Sequence, residues 1–254
     1  MARIIKGDIH NLSGRLGKIV FKQFNDELYA YSRPTRYKRT KCPKARAHRD
    51  SFGSIVKFAK FINSQPILKS IWKQSSIQGF SAYHKILKTN LLLMTDQQLG
   101  ESNIIVPKTK PSPIADLFLN PTRNLNHSLN HNLTRNLNLN HNLPSTISLS
   151  LDKSFEHILS TISYKTMFQF VFVFSKLQGK KFERPEIICN RYTLSDMTRD
   201  KKNALSFKLH NDTKSAFNRN TDLNIYVTLI YQKEKSEKLY WFSTYARSFR
   251  MASN

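Results

Sequence analysis

Met167 to Phe174 reads Met-Phe-Gln-Phe-Val-Phe-Val-Phe, seven apolar residues in eight with phenylalanine at every second place. Side chains of a strand point alternately to its two faces, so Phe168, Phe170, Phe172 and Phe174 share one face and the valines lie on the other. A strand apolar on both faces has to be covered on both. Leu223 to Tyr231 is also largely apolar on both faces and reads as a central strand. Leu205 to Leu209 and Leu239 to Phe249 are further strand formers, and turn clusters such as Gln178-Gly179-Lys180 and Lys233 to Lys238 separate these runs. Leu223 to Tyr231 and Leu239 to Phe249 make a hairpin, and Phe155, Ile158, Leu159 and Ile162 suggest a short helix or extended lead-in. Strands with short connections and no alternating helices point to an antiparallel sandwich of immunoglobulin or fibronectin type.

The front of the chain has another pattern. Ile19, Phe21, Phe24, Leu28, Tyr29, Ala30 and Tyr31 make a β-hairpin from Lys18 to Arg33, with Asn25-Asp26 at its turn. Gly7, Gly14 and Gly17 are three of only seven glycines, and their clustering asks for tight turns, at a spacing that fits no phosphate-binding loop. Helical spacing follows: Phe52, Ile55, Val56, Ala59 and Ile62 in a helix that starts near Pro43, then Leu68, Ile71 and Trp72 after Pro66. Phe80, Tyr83, Ile86, Leu87 and Leu91 mark a third helix, and Lys57, Lys60, Lys69, Lys73, Lys85 and Lys88 fall among these stripes.

Pro107, Pro111 and Pro113 then interrupt any helix, and Asn120 to Leu143 is an Asn/Leu-rich low-complexity tract. Its repeat unit is shorter than any supersecondary element, so it reads as a flexible linker or an elaborated loop, with docking of its leucines as a short helix or strand the alternative. The expected class is α+β. It comprises a basic hairpin-plus-helices domain over 1–106, a linker over 107–145 and an antiparallel β-sandwich over 146–254.

Charge bears on partners. Lys and Arg number 41 against 17 acids, a formal net charge of +24. The excess is steepest between Arg33 and Arg49, where Arg33, Arg36, Lys38, Arg39, Lys41, Lys44, Arg46 and Arg49 surround Tyr37 with no acid among them. Such a run meets a polyanion or stays solvated: its cations neutralise phosphates, Tyr37 stacks on a base, and a helix start near Pro43 adds backbone donors. Cys42 and Cys189 belong to no ligand cluster, and a reduced cytoplasmic compartment is the default. The N-terminus has no secretory apolar region, and no apolar stretch approaches the ~18 residues of a membrane span.

The segment Gly7-x-Ile9-x-x-Leu12-Ser13-Gly14-Arg15-Leu16-Gly17-x-x-Val20-Phe21, followed by Tyr31-Ser32-Arg33-Pro34 and by Arg49 to Phe52, resembles the opening of a bacterial, Bacteroidota-type family known as a domain of unknown function. The resemblance covers about the first ninety residues and implies no reaction, cofactor or catalytic residue. The Asn/Leu tract departs from that pattern as an insertion.

Chemistry-bearing groups are sparse. His127 and His131 stand four apart, with His141 beyond, but no acid or cysteine in the tract completes a metal site, and slippage explains the spacing. Ser13 lies in no nucleophile elbow, and Asp196 with Asp200 and Glu234 with Glu237 read as surface turn acids. The sequence therefore leads to no catalytic residue, metal or cofactor. It leads to a non-enzymatic structural or assembly protein, of mobile-element origin, which binds an unknown protein partner or itself. The alternative is a sequence-tolerant DNA or RNA binder that uses the basic loop 33–49.

Overall fold

The computed structural model describes residues 2–4, 14–24, 27–33, 42–95, 98–121, 136–137, 144–152, 166–175, 177–178, 181–182, 185–199, 204–217, 220, 222–232 and 238–251. The protein is α+β, with strands predominating. Met1–Arg46 and Ala47–Asn254 form two compact units.

In the first unit, β1 (Ala2–Ile4), β2 (Gly14–Leu16), β3 (Ile19–Phe24) and β4 (Glu27–Ser32) form an antiparallel sheet in the order β1-β4-β3-β2. Where the sequence led to a two-stranded hairpin, two more short strands flank it. Leu16 pairs with Ile19 across a two-residue turn in which Gly17 has φ 58°, a left-handed conformation that favours glycine. The expected Asn25-Asp26 turn and Gly7 lie outside the described residues.

In the second unit the first three helices form one layer. The first helix, α1 (Pro43–Ser64), starts ahead of the unit and buries Ile55, Phe58, Ala59 and Ile62, a stripe at helical spacing. Pro66, at the first turn of α2 (Pro66–Gln74), starts a helix that buries Leu68, Ile71 and Trp72. Ser81 caps α3 (Ala82–Leu92), its hydroxyl accepting the His84 N–H at 3.3 Å. The third stripe differs from the sequence reading, because α3 buries Ala82, Ile86 and Asn90. Phe80 precedes the cap and is fully exposed, and Leu91 lies 45% exposed. Phe52 is likewise half-exposed, and Phe58 takes the buried place.

Next come β5 (Ile114–Pro121), β6 (Asn136–Leu137), β7 (Pro144–Leu151), β8 (Met167–Ser175), β9 (Leu177–Gln178), β10 (Lys181–Phe182) and β11 (Glu186–Thr193). After a 3-10 turn at Leu194–Asp196 follow β12 (Met197–Arg199), β13 (Leu205–Lys208), α4 (Asn211–Phe217), β14 (Asp222–Gln232), β15 (Leu239–Trp241) and β16 (Tyr245–Met251). One sheet has the order β11-β8-β14-β16-β6, with β15 also on β14, and is antiparallel except where β6 joins β16. The other is antiparallel in the order β12-β13-β7-β5, and β9 pairs with β10.

The period-two pattern of β8 sorts its side chains between two cores. Phe168, Phe170, Phe172 and Phe174 join Leu223, Ile225, Val227 and Leu229 of β14, and together they meet Leu117, Leu119, Ile147, Leu149 and Phe207 of the second sheet. Val171 and Val173, with Tyr226 and Ile230, pack against α1, α2 and α3. The unit is thus three layers, helices on one face of the larger sheet and the smaller sheet on the other.

Residues 99–110 fill the seam between helices and sheet. The Asn90 amide reaches Ile104 on both sides, Nδ2 donating to its carbonyl at 3.0 Å and Oδ1 accepting its N–H at 2.8 Å. Trp72 Nε1 donates to the Ile105 carbonyl at 2.8 Å, Tyr226 OH to Gly100 at 2.8 Å and Trp241 Nε1 to Pro107 at 3.0 Å. The sequence reading divides the chain at 107–145, and the folded chain differs there. The helices share a core with the larger sheet, because the valine face of β8 needs a cover, and Ile114–Pro121 of the expected linker is strand β5. Most of the Asn/Leu tract, and Phe155 to Ile162, lie outside the described residues.

Candidate interaction surfaces

Of the basic segment, Arg33 follows β4 and its N–H donates to the Lys18 carbonyl at 2.9 Å, one step beyond the β3–β4 ladder. Lys44, Arg46 and Arg49 are exposed on the first two turns of α1, where every residue from Pro43 to Asp50 except the half-buried Ala45 is exposed. Arg36, Tyr37, Lys38, Arg39 and Lys41 lie outside the described residues. Cys42 starts α1, its carbonyl accepting the Arg46 N–H at 3.0 Å. Backbone N–H groups of Ala45 and then Lys44 hold its thiol below the ordinary value.

The first unit contributes a second surface. None of its described side chains is buried: Leu16 is 72% and Ile19 45% exposed, and Val20, Phe21, Leu28, Tyr29 and Tyr31 are half-buried. Among the described residues, β1 and β2 each pair on one side only, which leaves two open edges.

The third surface is the outer side of the helical layer. Ser51 to Thr95 contains six lysines and no acid. Lys57, Lys60, Lys69, Lys73 and Lys88 are exposed, and the half-buried Lys85 donates to the Ser75 carbonyl at 2.7 Å. Beside them lies an apolar groove of ≈ 650 Å³, lined by Gln78, Gly79, Phe80, His84, Leu87, Lys88 and Leu91. Ser81 Oγ sits 2.8 Å from His84 Nδ1, and the Phe80 ring meets the His84 ring edge-on at 6.3 Å. Sequence reasoning placed Phe80 and Leu91 in a buried stripe; only the position of the Ser81 cap, which begins α3 after Phe80, could have warned otherwise.

Polar groups inside the second unit serve the fold. Gln169 Nε2 donates to the Asn190 carbonyl at 3.2 Å, Asn190 Nδ2 to Thr213 Oγ1 at 2.8 Å, and Tyr192 OH to the Lys208 carbonyl at 2.8 Å. Burial pushes the Cys189 thiol up to about 12, against weaker opposing effects of Arg191 and the Gln169 hydrogen bond, so it is inert near neutral pH. Burial also raises the Tyr192 phenol to about 12. Asp196 accepts the Thr193 hydroxyl and N–H, each at 2.7 Å, and these bonds lower its carboxyl, which makes it a cap of the 3-10 turn. Asp200, Glu234, Glu237, Ser13, His127, His131 and His141 lie outside the described residues. Among the described residues no three His, Cys, Asp or Glu side chains are grouped as metal ligands, and no helix is long and apolar enough to cross a membrane.

No protein-family model, curated protein or solved structure matches this chain.

Proposed function

We propose that this chain is a non-enzymatic assembly component that associates with copies of itself through the N-terminal sheet. The observation that carries the reading is a small sheet whose strands hold Leu16, Ile19, Val20, Phe21, Leu28, Tyr29 and Tyr31 and bury none of them. Among the described residues these strands show no buried side chain and leave two edges open, so the sheet lacks the apolar contact that stabilises one, and open edges invite strand-to-strand pairing. The same proposal keeps the resemblance of residues 7–34 to the Bacteroidota-type family. It also reads the two large sheets as an immunoglobulin or fibronectin-like sandwich, for which the orders β5-β7-β13-β12 and β16-β14-β8-β11 speak, since they follow the A-B-E-D and G-F-C-C′ arrangement.

Salt separates this reading from its rival. At a net charge of +24, copies repel one another at low salt, so apolar self-association strengthens as salt screens that repulsion. Sedimentation of the purified, nuclease-treated protein over concentration and salt series should show assembly that grows with salt and is lost in a Leu16→Ser/Ile19→Ser variant. A protein monomeric under all these conditions would sink the reading. The alternative, nucleic-acid binding by the segment 33–49, is favoured by the exposure of Lys44, Arg46 and Arg49 on α1. It requires the opposite trend, with duplex or single-stranded DNA released as salt rises and the slope reduced in a variant with Arg36, Lys38, Arg39 and Lys41 changed to Ala.

A further inference from the structure

We infer that the groove between the 75–81 loop and α3 is a docking site for an acidic amphipathic helix of another protein, a site separate from the N-terminal sheet. The apolar side of the argument is Phe80. A whole phenylalanine ring in water is disfavoured, yet two local features place this one there. Gly79 allows the first: a Cβ at that position would meet Lys85 Cγ at 2.9 Å and the Lys85 backbone nitrogen at 3.4 Å, so only glycine lets the loop lie this close to α3. His84, itself oriented by Ser81, supplies the second. Leu87 and Leu91 stand four apart on α3 and floor the groove, and Leu92 beside them is 78% exposed. A preformed aromatic lip over a leucine floor matches the apolar stripe of a helix, with anchors at i, i+3 or i+4 and i+7.

Charge chooses among occupants. Lys88 lines the groove, Lys85 adjoins Gly79, and Ser51 to Thr95 holds no acid that could pair with a cationic partner. A second copy of this chain, with 41 Lys and Arg against 17 acids, brings few acids to match the lysines beside the groove. A bilayer takes up a broad apolar face, whereas the apolar residues here line a shallow groove edged by Lys88 and His84. A nucleic-acid strand satisfies the lysines but leaves the Leu87–Leu91 floor without an apolar partner. An acidic helix satisfies both features.

The test uses the full chain and three fluorescent helical peptides of about fourteen residues. One carries Leu or Phe anchors on a Glu-rich background, one has every Glu changed to Lys, and one has every anchor changed to Ser. Vesicles with anionic lipid and a single-stranded oligonucleotide are run beside them. The inference expects the acidic anchored peptide to bind and both altered peptides to bind at least about tenfold more weakly. Phe80→Ser and Leu91→Ser, both exposed and so tolerated by the fold, should each weaken the acidic peptide by about tenfold. Leu16→Ser/Ile19→Ser, which tests the N-terminal sheet, should leave peptide binding unchanged, so the two proposals fail separately. Equal binding of all three peptides, binding indifferent to Phe80 and Leu91, or capture of vesicles or oligonucleotide in their place would overturn the inference.

Discussion

The two faces of the larger sheet are closed by different means. On one, four phenylalanines of β8 meet the smaller sheet: Phe170 and Phe172 stack at 6.1 Å, and Phe207 stands edge-on to Phe168 and Phe170 at 5.4 and 5.3 Å. On the other, Val171 and Val173 of β8 share an apolar core with the helices, and residues 99–110 add hydrogen bonds from Asn90, Trp72, Tyr226 and Trp241. The first face is held by apolar area and ring geometry, which act without direction along the sheet. The second adds to its apolar core polar groups that each have one right partner, so it should open locally where the first fails as a whole.

Truncation of the aromatic face gives the largest effect. Phe170→Ala should cost ~3–5 kcal/mol and lower the denaturant midpoint in one cooperative step, because its ring touches Phe172, Tyr192 and Phe207. A loss below ~1 kcal/mol would break the distinction between the faces.

On the helical face, Asn90→Ala leaves the Ile104 N–H and carbonyl without their shared partner, while the Asn103 amide keeps the backbone carbonyl of residue 90, an expected cost of ~2–3 kcal/mol. Hydrogen exchange should accelerate at Ile104 well before the amides of β8. Equal acceleration in both would mean that the two faces open together.

Trp72→Phe keeps most of the buried ring and removes one bond, to the Ile105 carbonyl, so ~1 kcal/mol is expected and thermal unfolding should report it.

The smallest contrast vanishes at neutral pH. Cys189, packed on the helical side, is raised from 9.0 to about 12, and Tyr192, in the sandwich core, from 10.0 to about 12. Each group folds in its protonated form, so the stability it contributes is whole below the ordinary value and is lost as pH climbs towards the raised one. Stability should therefore decline from pH about 9, and Cys189→Ala should delay the onset towards pH about 10. An unchanged onset in that variant would show that the thiol is not what opens the helical side.

Legibility followed pattern length. The β8 run and the central place of β14 could be read because both faces of each strand are apolar, and α1 and α2 because their stripes and Pro66 agree. Pro144–Leu151 and Glu186–Thr193 are not legible as strands, although the former alternates Ile147, Leu149 and Leu151 with polar residues, because short strands beside a low-complexity tract carry little signal. Leu239 to Phe249 reads as one strand, but the chain breaks at Phe242–Thr244, where the Thr228 hydroxyl donates to the Phe242 carbonyl at 2.7 Å and Thr244 accepts the Ile105 N–H at 3.1 Å. Those bonds span sequence separations that no local pattern encodes. Of the interaction surfaces, the basic residues were legible as charge, whereas the groove was not, because Phe80 and Leu91 fit a helical period that α3 uses for Asn90 instead.

By itself the sequence determined the class, the strands that must be buried on both faces and the sign of the field around the protein, since each follows from periodicity and composition. Only the tertiary structure decided what covers the valine face of β8, that residues 103–107 belong to the core, and which apolar residues stay in water. Those outcomes depend on distant groups competing for the same hydrogen bonds and the same buried volume, and that competition is settled only when the layers meet.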